Sequence, residues 1–229
     1  MFKLFTLIKV VRRLAGLAPV AEEVVKAVAH KKENERSNRW IFGTMLVAAI
    51  LGLISAFTLS VEKIHLLQDT NAQLSCNFNL VLNCASVMKT PQASLFGFPN
   101  SFIGMMGYAV VITVAVAGLA RARFPRWFLI TAQICYGLGL IFAYWLFFQS
   151  VFVIEVLCPW CLVVTFVTTI IFETLLRYNL RENTFNFAKK THEKVLRFLK
   201  KDYDKLIVAS WIVAMIAVVF IKFKEALFL

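Results

Sequence analysis

The sequence predicts an all-α integral membrane protein with five spanning helices. Three observations predict it. Hydrophobic residues make up 60% of the 229 positions and charged residues only 17%, where a soluble domain runs at about 45–50% and about 25%. The apolar residues fall in blocks long enough to cross a hydrocarbon core, which takes about 20 residues at about 1.5 Å rise each. The 25 basic residues sit between those blocks instead of clustering on one face. Their placement follows the positive-inside rule. The net charge of +12 is therefore read as membrane topology, and nucleic acid is not expected as a partner.

The first span is expected over Trp40–Val61 and the second over about Ser101–Ala120. From Trp127 to Leu176 the chain stays apolar for 50 residues, too long for one crossing. Gln149, Ser150 and Glu155 interrupt it, so a third span ending near Phe148 and a fourth starting near Val156 are expected. The fifth runs from Leu206 to Ile221 or Phe223 and is short.

Five crossings put residues 1–39, the 121–126 turn and residues 177–205 on one side. That side holds 21 of the 25 Lys and Arg residues and is expected to be the cytoplasm. The 61–100 loop and the C-terminus then face outward. The expected organisation is an N-terminal basic arm (1–39), a helical core (40–176) carrying the external loop 61–100, and a basic segment with the fifth helix (177–229).

Met1–Ala18 mixes Phe2, Phe5, Ile8, Val11 and Leu14 with four cations. It is expected to be an interfacial amphipathic helix and not a cleaved signal peptide, because it has no uninterrupted apolar core. Leu196, Leu199 and Tyr203 are expected to share a similar apolar face within 185–205.

Four of the five cysteines fall on the expected outer side, where disulfides persist. Cys76 and Cys84 lie in the 61–100 loop. Cys158-Pro159-Trp160-Cys161 opens the fourth span. A helix N-terminus carries unpaired N–H groups and partial positive charge, which favour the nucleophilic thiolate. Pro159 suits the first helical turn, where its missing N–H costs no bond.

The pair therefore reads as redox-active. Two dithiols in one membrane protein imply a relay that ends on a two-electron acceptor living in lipid, and a quinone has that chemistry. Two structural disulfides are one alternative. A zinc site of four thiolates is another; it is disfavoured because Glu155, and no nearby Lys or Arg, accompanies Cys158 in sequence. No metal is expected. Cys135, well inside the third span, is read as a small packing residue.

In order and spacing these residues resemble the vitamin K epoxide reductase family, in its bacterial disulfide-forming branch. The resemblance covers about residues 40–176. It rests on Cys76 and Cys84 after the first span, Thr90-Pro91-Gln92-Ala93, Leu95-Phe96-Gly97-Phe98-Pro99-Asn100, then Gly104, Gly107 and Tyr108, and Cys158-Pro159-Trp160-Cys161.

The resemblance implies a four-helix bundle around a quinone (menaquinone or ubiquinone), with the fifth transmembrane helix added. It implies that Cys161 lies beside the quinone, that Cys158 exchanges with Cys84, and that Cys76 meets the external partner. Asn100 matches the family's asparagine that hydrogen-bonds a quinone carbonyl; read by itself it is a helix cap. Met88, Ile103 and Tyr108 match pocket-lining positions, and read by themselves they are core.

Two positions depart from the pattern. Thr165 stands where the family commonly has an aromatic residue, and Asn77 where it often has Asp. Some members carry a fused thioredoxin-like domain. Only 53 residues follow Leu176, so a separate exported thioredoxin-like oxidase is the expected partner. The implied location is a bacterial inner membrane. Reduction of vitamin K epoxide is the nearest alternative activity, and a non-enzymatic membrane protein with structural disulfides is the alternative from another class.

Overall fold

A computed structural model describes the backbone of residues 2–69, 74, 76, 77 and 82–227, and the side chains of that set from 35 to 224. The chain divides into two compact units, Met1–Trp40 and Ile41–Leu229. The first is helical from Phe2 onward. The amphipathic face expected for Met1–Ala18 rests on side chains outside the described residues.

The second unit is built from helices, beginning with the part of α1 (Phe2–Gln68) from Ile41 onward. A short helix α2 (Cys84–Met88) and a 3-10 turn (Pro91–Ser94) follow in the loop. Then come α3 (Asn100–Leu119), α4 (Arg126–Phe148) continued by a π turn (Gln149–Ile154), α5 (Pro159–Arg181), α6 (Lys189–Lys200) and α7 (Tyr203–Leu227). Among the described residues the only extended pairings are two isolated bridges, Asn77 with Asn83 and Leu82 with Leu157.

Five helices are long and apolar enough to cross a membrane: Glu35–Gln68, Asn100–Leu119, Arg126–Ile154, Pro159–Arg181 and Tyr203–Lys224. The helical, membrane-spanning class read from the sequence is the one observed. Helix ends differ from the apolar blocks. The first helix continues past Val61 through Glu62 and Lys63 to Gln68, and the last extends at both ends. Backbone hydrogen bonding, not hydropathy, decides where a helix stops. The fourth span starts at Pro159 because Glu155 takes a left-handed backbone (φ 55°) and Cys158 is extended.

One core unites α1, α3, α4 and α5. Ile41, Phe42, Met45 and Ala49 meet Val111 and Ala115, with Leu129, Ile171 and Leu175 closing the layer. Close approach of α1 and α3 depends on glycine, as in membrane bundles generally. A Cβ on Gly52 would lie 2.5 Å from the Tyr108 ring, and one on Gly118 would lie 2.5 Å from the Phe42 ring. The outward faces stay apolar, with Ile54, Val110, Leu138 and Ile221 exposed. This is how a bundle presents itself to lipid.

At the end opposite the cysteine loop, Arg177 bonds Asp202 at 2.8 Å and Asp204 at 2.5 Å. Lys205 and Arg177 beside Asp202 hold its carboxyl below the ordinary carboxylate range. The expected shared face of Leu196, Leu199 and Tyr203 is corrected. Leu199 is buried and Leu196 half-buried, but Tyr203 is exposed and opens α7. Asp202, at φ 52°, breaks the helical register between them.

Candidate active site

The site assembles where the cysteine loop meets the start of α5. Asn83 caps α2: its Oδ1 accepts from the Ser86 N–H at 2.9 Å, the bond that a residue of this type supplies to an otherwise unsatisfied first turn. The Asn83 N–H donates to the Leu157 carbonyl at 3.0 Å, and Leu82 pairs with Leu157 in a parallel bridge. Residue 84 is thereby set beside residue 158. From the other flank, Asn77 Oδ1 accepts from the Ala85 N–H at 3.2 Å.

Cys76 and Cys84 form a disulfide. Cys158 and Cys161 are free thiols. The Sγ atoms of Cys84 and Cys158 lie 3.4 Å apart. Cys158 is also the cap of α5, its Sγ accepting from the Cys161 N–H at 3.4 Å, with Pro159 in the first turn. Relative exposures of 1%, 0% and 1% place Cys76, Cys84 and Cys158 out of water. They share one cluster with Leu59, Leu66, Leu74, Ala85 and Met88, and Val87, Trp160, Cys161 and Val164 pack against it. All four sequence-predicted redox cysteines therefore lie together. Cys135 is exposed on α4.

The end of α1 holds the loop with two adjacent charged residues. Lys63 Nζ donates to the Met88 carbonyl at 2.5 Å, at the C-terminus of α2, where a cation is favoured. Glu62 Oε2 lies 3.1 Å from Cys76 Sγ. The donor atoms of Glu62, Cys76 and Cys84 lie within 4.8 Å of one another. With the disulfide closed, however, the two sulfurs are not the thiolates a soft metal needs.

The other predicted residues sit at graded depths. Asn100 opens α3 but does not cap it. Its Nδ2 donates to the Gln92 carbonyl at 2.6 Å and its Oδ1 accepts from the Leu95 N–H at 3.1 Å, so it clamps the 3-10 turn. Among the described residues its second amide N–H has no partner. Met88 is buried in the cysteine cluster, and Ile103 is half-buried in the first turn of α3. Thr165 is buried and donates back to the Cys161 carbonyl at 3.0 Å, an ordinary bond for a helical threonine. Tyr108 lies deeper, its hydroxyl 2.7 Å from Thr168 Oγ1 and its ring against Gly52. Shallow apolar surface grooves lie elsewhere, one lined by Arg197, Phe198 and Tyr203 where α6 meets α7 and one along the start of α7.

Four contributors carry no local sequence signal of the contacts they make. Leu82 and Leu157 read only as apolar. Glu62 reads as a charge ending a span. Glu155 reads as a lone acid near Cys158, yet its Oε1 pairs with Lys222 Nζ at 2.6 Å. That bond ties the C-terminal end of α7 to the segment that leads into Cys158. Beside it, Val151, Leu157 and Phe223 form a small buried cluster with Leu82 packed against it.

Residues 44–176, more than half of the chain, match the model of the vitamin K epoxide reductase family. No curated protein matches the chain.

Proposed function

Because the chain belongs to the vitamin K epoxide reductase family, we propose that this membrane oxidoreductase forms disulfides: it oxidises an exported thioredoxin-like dithiol protein and passes the electrons, through its two cysteine pairs, to a membrane quinone. The observation that carries the reading is the 3.4 Å separation of Cys84 and Cys158 in a setting where one pair is closed and the other is free. That arrangement matches the stage at which electrons have reached the inner pair.

The steps follow from thiol–disulfide exchange, in which a thiolate attacks one sulfur and expels the other through a mixed disulfide. The partner's thiolate attacks Cys76, and Cys84 leaves. The partner's second thiolate then releases oxidised partner, leaving Cys76 and Cys84 reduced. Cys84 attacks Cys158 of the inner disulfide, and Cys161 leaves. Cys76 attacks Cys84, which restores the outer disulfide and frees Cys158. The Cys161 N–H receives the Cys158 sulfur at this point.

The apolar residues around Cys161 and the uncommitted Asn100 N–H suit a lipid-soluble ring bearing carbonyl oxygens. Asn100, Met88, Ile103, Tyr108 and Thr165 would hold it. Of these, Asn100 has a donor to spare, whereas the hydroxyls of Tyr108 and Thr165 are engaged within the chain. A quinone bound there would take up the two electrons and two protons of the Cys158–Cys161 dithiol.

Residues 40–176 form the catalytic domain in this reading, flanked by the basic arm 1–39 and the segment 177–229. The excess of Lys and Arg on one side supports a bacterial inner-membrane location with the N-terminus cytoplasmic and the C-terminus and cysteine loop outside. The test is quinone reduction by purified protein supplied with a reduced thioredoxin-like substrate. Turnover is expected and should vanish in Cys161→Ala. Turnover surviving that substitution would contradict the assignment.

A further inference from the structure

We propose that the junction of α6 and α7 binds an anionic membrane phospholipid, its phosphate against Arg197, Lys200 and Lys201 and its acyl chain along the start of α7. The inference is independent of the thiol exchange and needs only the membrane-spanning helices.

Charge points to an anion. Residues 189–201 carry six cations, Lys189, Lys190, Lys194, Arg197, Lys200 and Lys201, and one carboxylate, Glu193. All seven are exposed. Among the described residues none of them makes an ion pair. The neighbouring carboxylates are already taken: Asp202 by Arg177 and Lys205, Asp204 by Arg177, and Glu182 by Arg181. Lys190, Lys194 and Arg197 follow one another at helical spacing on α6. Like charges so placed repel until an outside anion offsets them. The cations do not hold α6 on the bundle, because its inner face is apolar, with Leu199 buried and Val195 and Leu196 half-buried.

Depth and shape choose the anion. The span of α5 ends at Arg181 and that of α7 begins at Tyr203. The groove lined by Arg197, Phe198, Lys200, Lys201 and Tyr203 therefore opens at the edge of the hydrocarbon layer. The Phe198 and Tyr203 rings lie 5.5 Å apart, and Lys201 Nζ lies 5.7 Å from the Tyr203 ring centroid. Aromatic rings beside cations suit the headgroup level of a membrane. The Arg197 guanidinium can offer a phosphate two parallel N–H donors, and the two lysines add point charges. On α7 the face of Tyr203 continues through Ile207, Ser210 and Ala214, where a second groove is lined by those three residues with Leu206, Val208 and Trp211. A phosphate seat with an apolar lane one turn further into the span fits a phospholipid. Free phosphate or a soluble acidic peptide would use the first half only.

The experiment is native mass spectrometry of the full chain in detergent, titrated with phosphatidylglycerol or with phosphatidylcholine of the same acyl chains. Wild type is compared with Arg197→Gln/Lys200→Gln/Lys201→Gln and with Lys189→Gln/Lys190→Gln/Lys194→Gln, which loses the same charge from α6 away from the groove. Wild type is expected to retain phosphatidylglycerol in preference to phosphatidylcholine. The groove variant is expected to lose that preference by about tenfold, because attraction to an anionic lipid grows with the number of cations near the headgroup, while the control variant keeps most of it. Equal retention of the two lipids by wild type, or equal losses in the two variants, overturns the proposal. Displacement of bound phosphatidylglycerol by equimolar glycerol phosphate or polyglutamate also overturns it, since both supply charge without an acyl chain. If the groove variant gives no cooperative melting transition, Arg197→Gln decides alone: a reduced preference supports the proposal and wild-type preference overturns it.

Discussion

The Sγ of Cys84 lies 3.4 Å from the Sγ of Cys158, although the two residues belong to a surface loop and to the cap of a membrane helix. Local backbone pairing produces this contact. The Asn83 N–H donates to the Leu157 carbonyl, and Leu82 bridges Leu157, so the position before each cysteine is already fixed to the other segment. Pre-set geometry of this kind spares the reacting sulfurs an ordering cost at the moment of exchange.

The Asn83 cap should therefore matter more to rate than to the bundle. Removing an N-cap costs about 1 kcal/mol, and α2 has only five residues over which to absorb it. Asn83→Ala is expected to slow formation of the Cys84–Cys158 bond by about fivefold, with little change in the thermal midpoint of the bundle. Rapid-quench alkylation measures the first and thermal unfolding in detergent the second.

Contact between α1 and α3 sets a second expectation. An added methyl at Gly52 would sit 2.5 Å from the Tyr108 ring, and overpacking of a filled core costs about 1–3 kcal/mol. Gly52→Ala should destabilise by that amount. Combining it with Tyr108→Leu should cost less than the sum of the single changes, because the two side chains share one space. Unfolding of the four proteins of this cycle provides the check.

At the C-terminal end of α7, charge and packing can be separated. The Lys222–Glu155 side chains are 39% and 59% exposed, so Lys222→Ala should cost under about 1 kcal/mol. Phe223 is buried against Val151 and Leu157, and removing such a ring costs about 3–5 kcal/mol. Phe223→Ala should also slow the cysteine exchange, because Leu157 carries the bridge to Leu82. Equal effects of the two substitutions on exchange rate would contradict this division.

These contacts mark how far the sequence could be read. The five spans were legible because lipid selects apolar length directly. The break at Glu155 and the start of α5 were legible because Pro159 and the polar residues before it act locally. The four cysteines were legible as a group because few other chemistries need that set of residues. What could not be read was non-local. Leu82 and Leu157 look like any apolar residues, Glu155 and Lys222 are 67 positions apart, and nothing around Glu62 announces that Cys76 lies against it. Asn100 was legible as important but not as the clamp on Gln92 and Leu95, since one amide suits several partners equally well.

The central claim is that electrons cross between the two cysteine pairs at Cys84 and Cys158. Peptide mass spectrometry on Cys161→Ala, isolated from cells under non-reducing conditions with free thiols alkylated, reads that step directly. With no Cys161 to pair with, the Cys158 thiol can only run the last exchange in reverse, attacking Cys84 of the outer disulfide and expelling Cys76, so Cys158 should be recovered joined to Cys84, with Cys76 alkylated. Recovery of Cys158 as a free alkylated thiol, with only the Cys76–Cys84 disulfide present, would contradict the account.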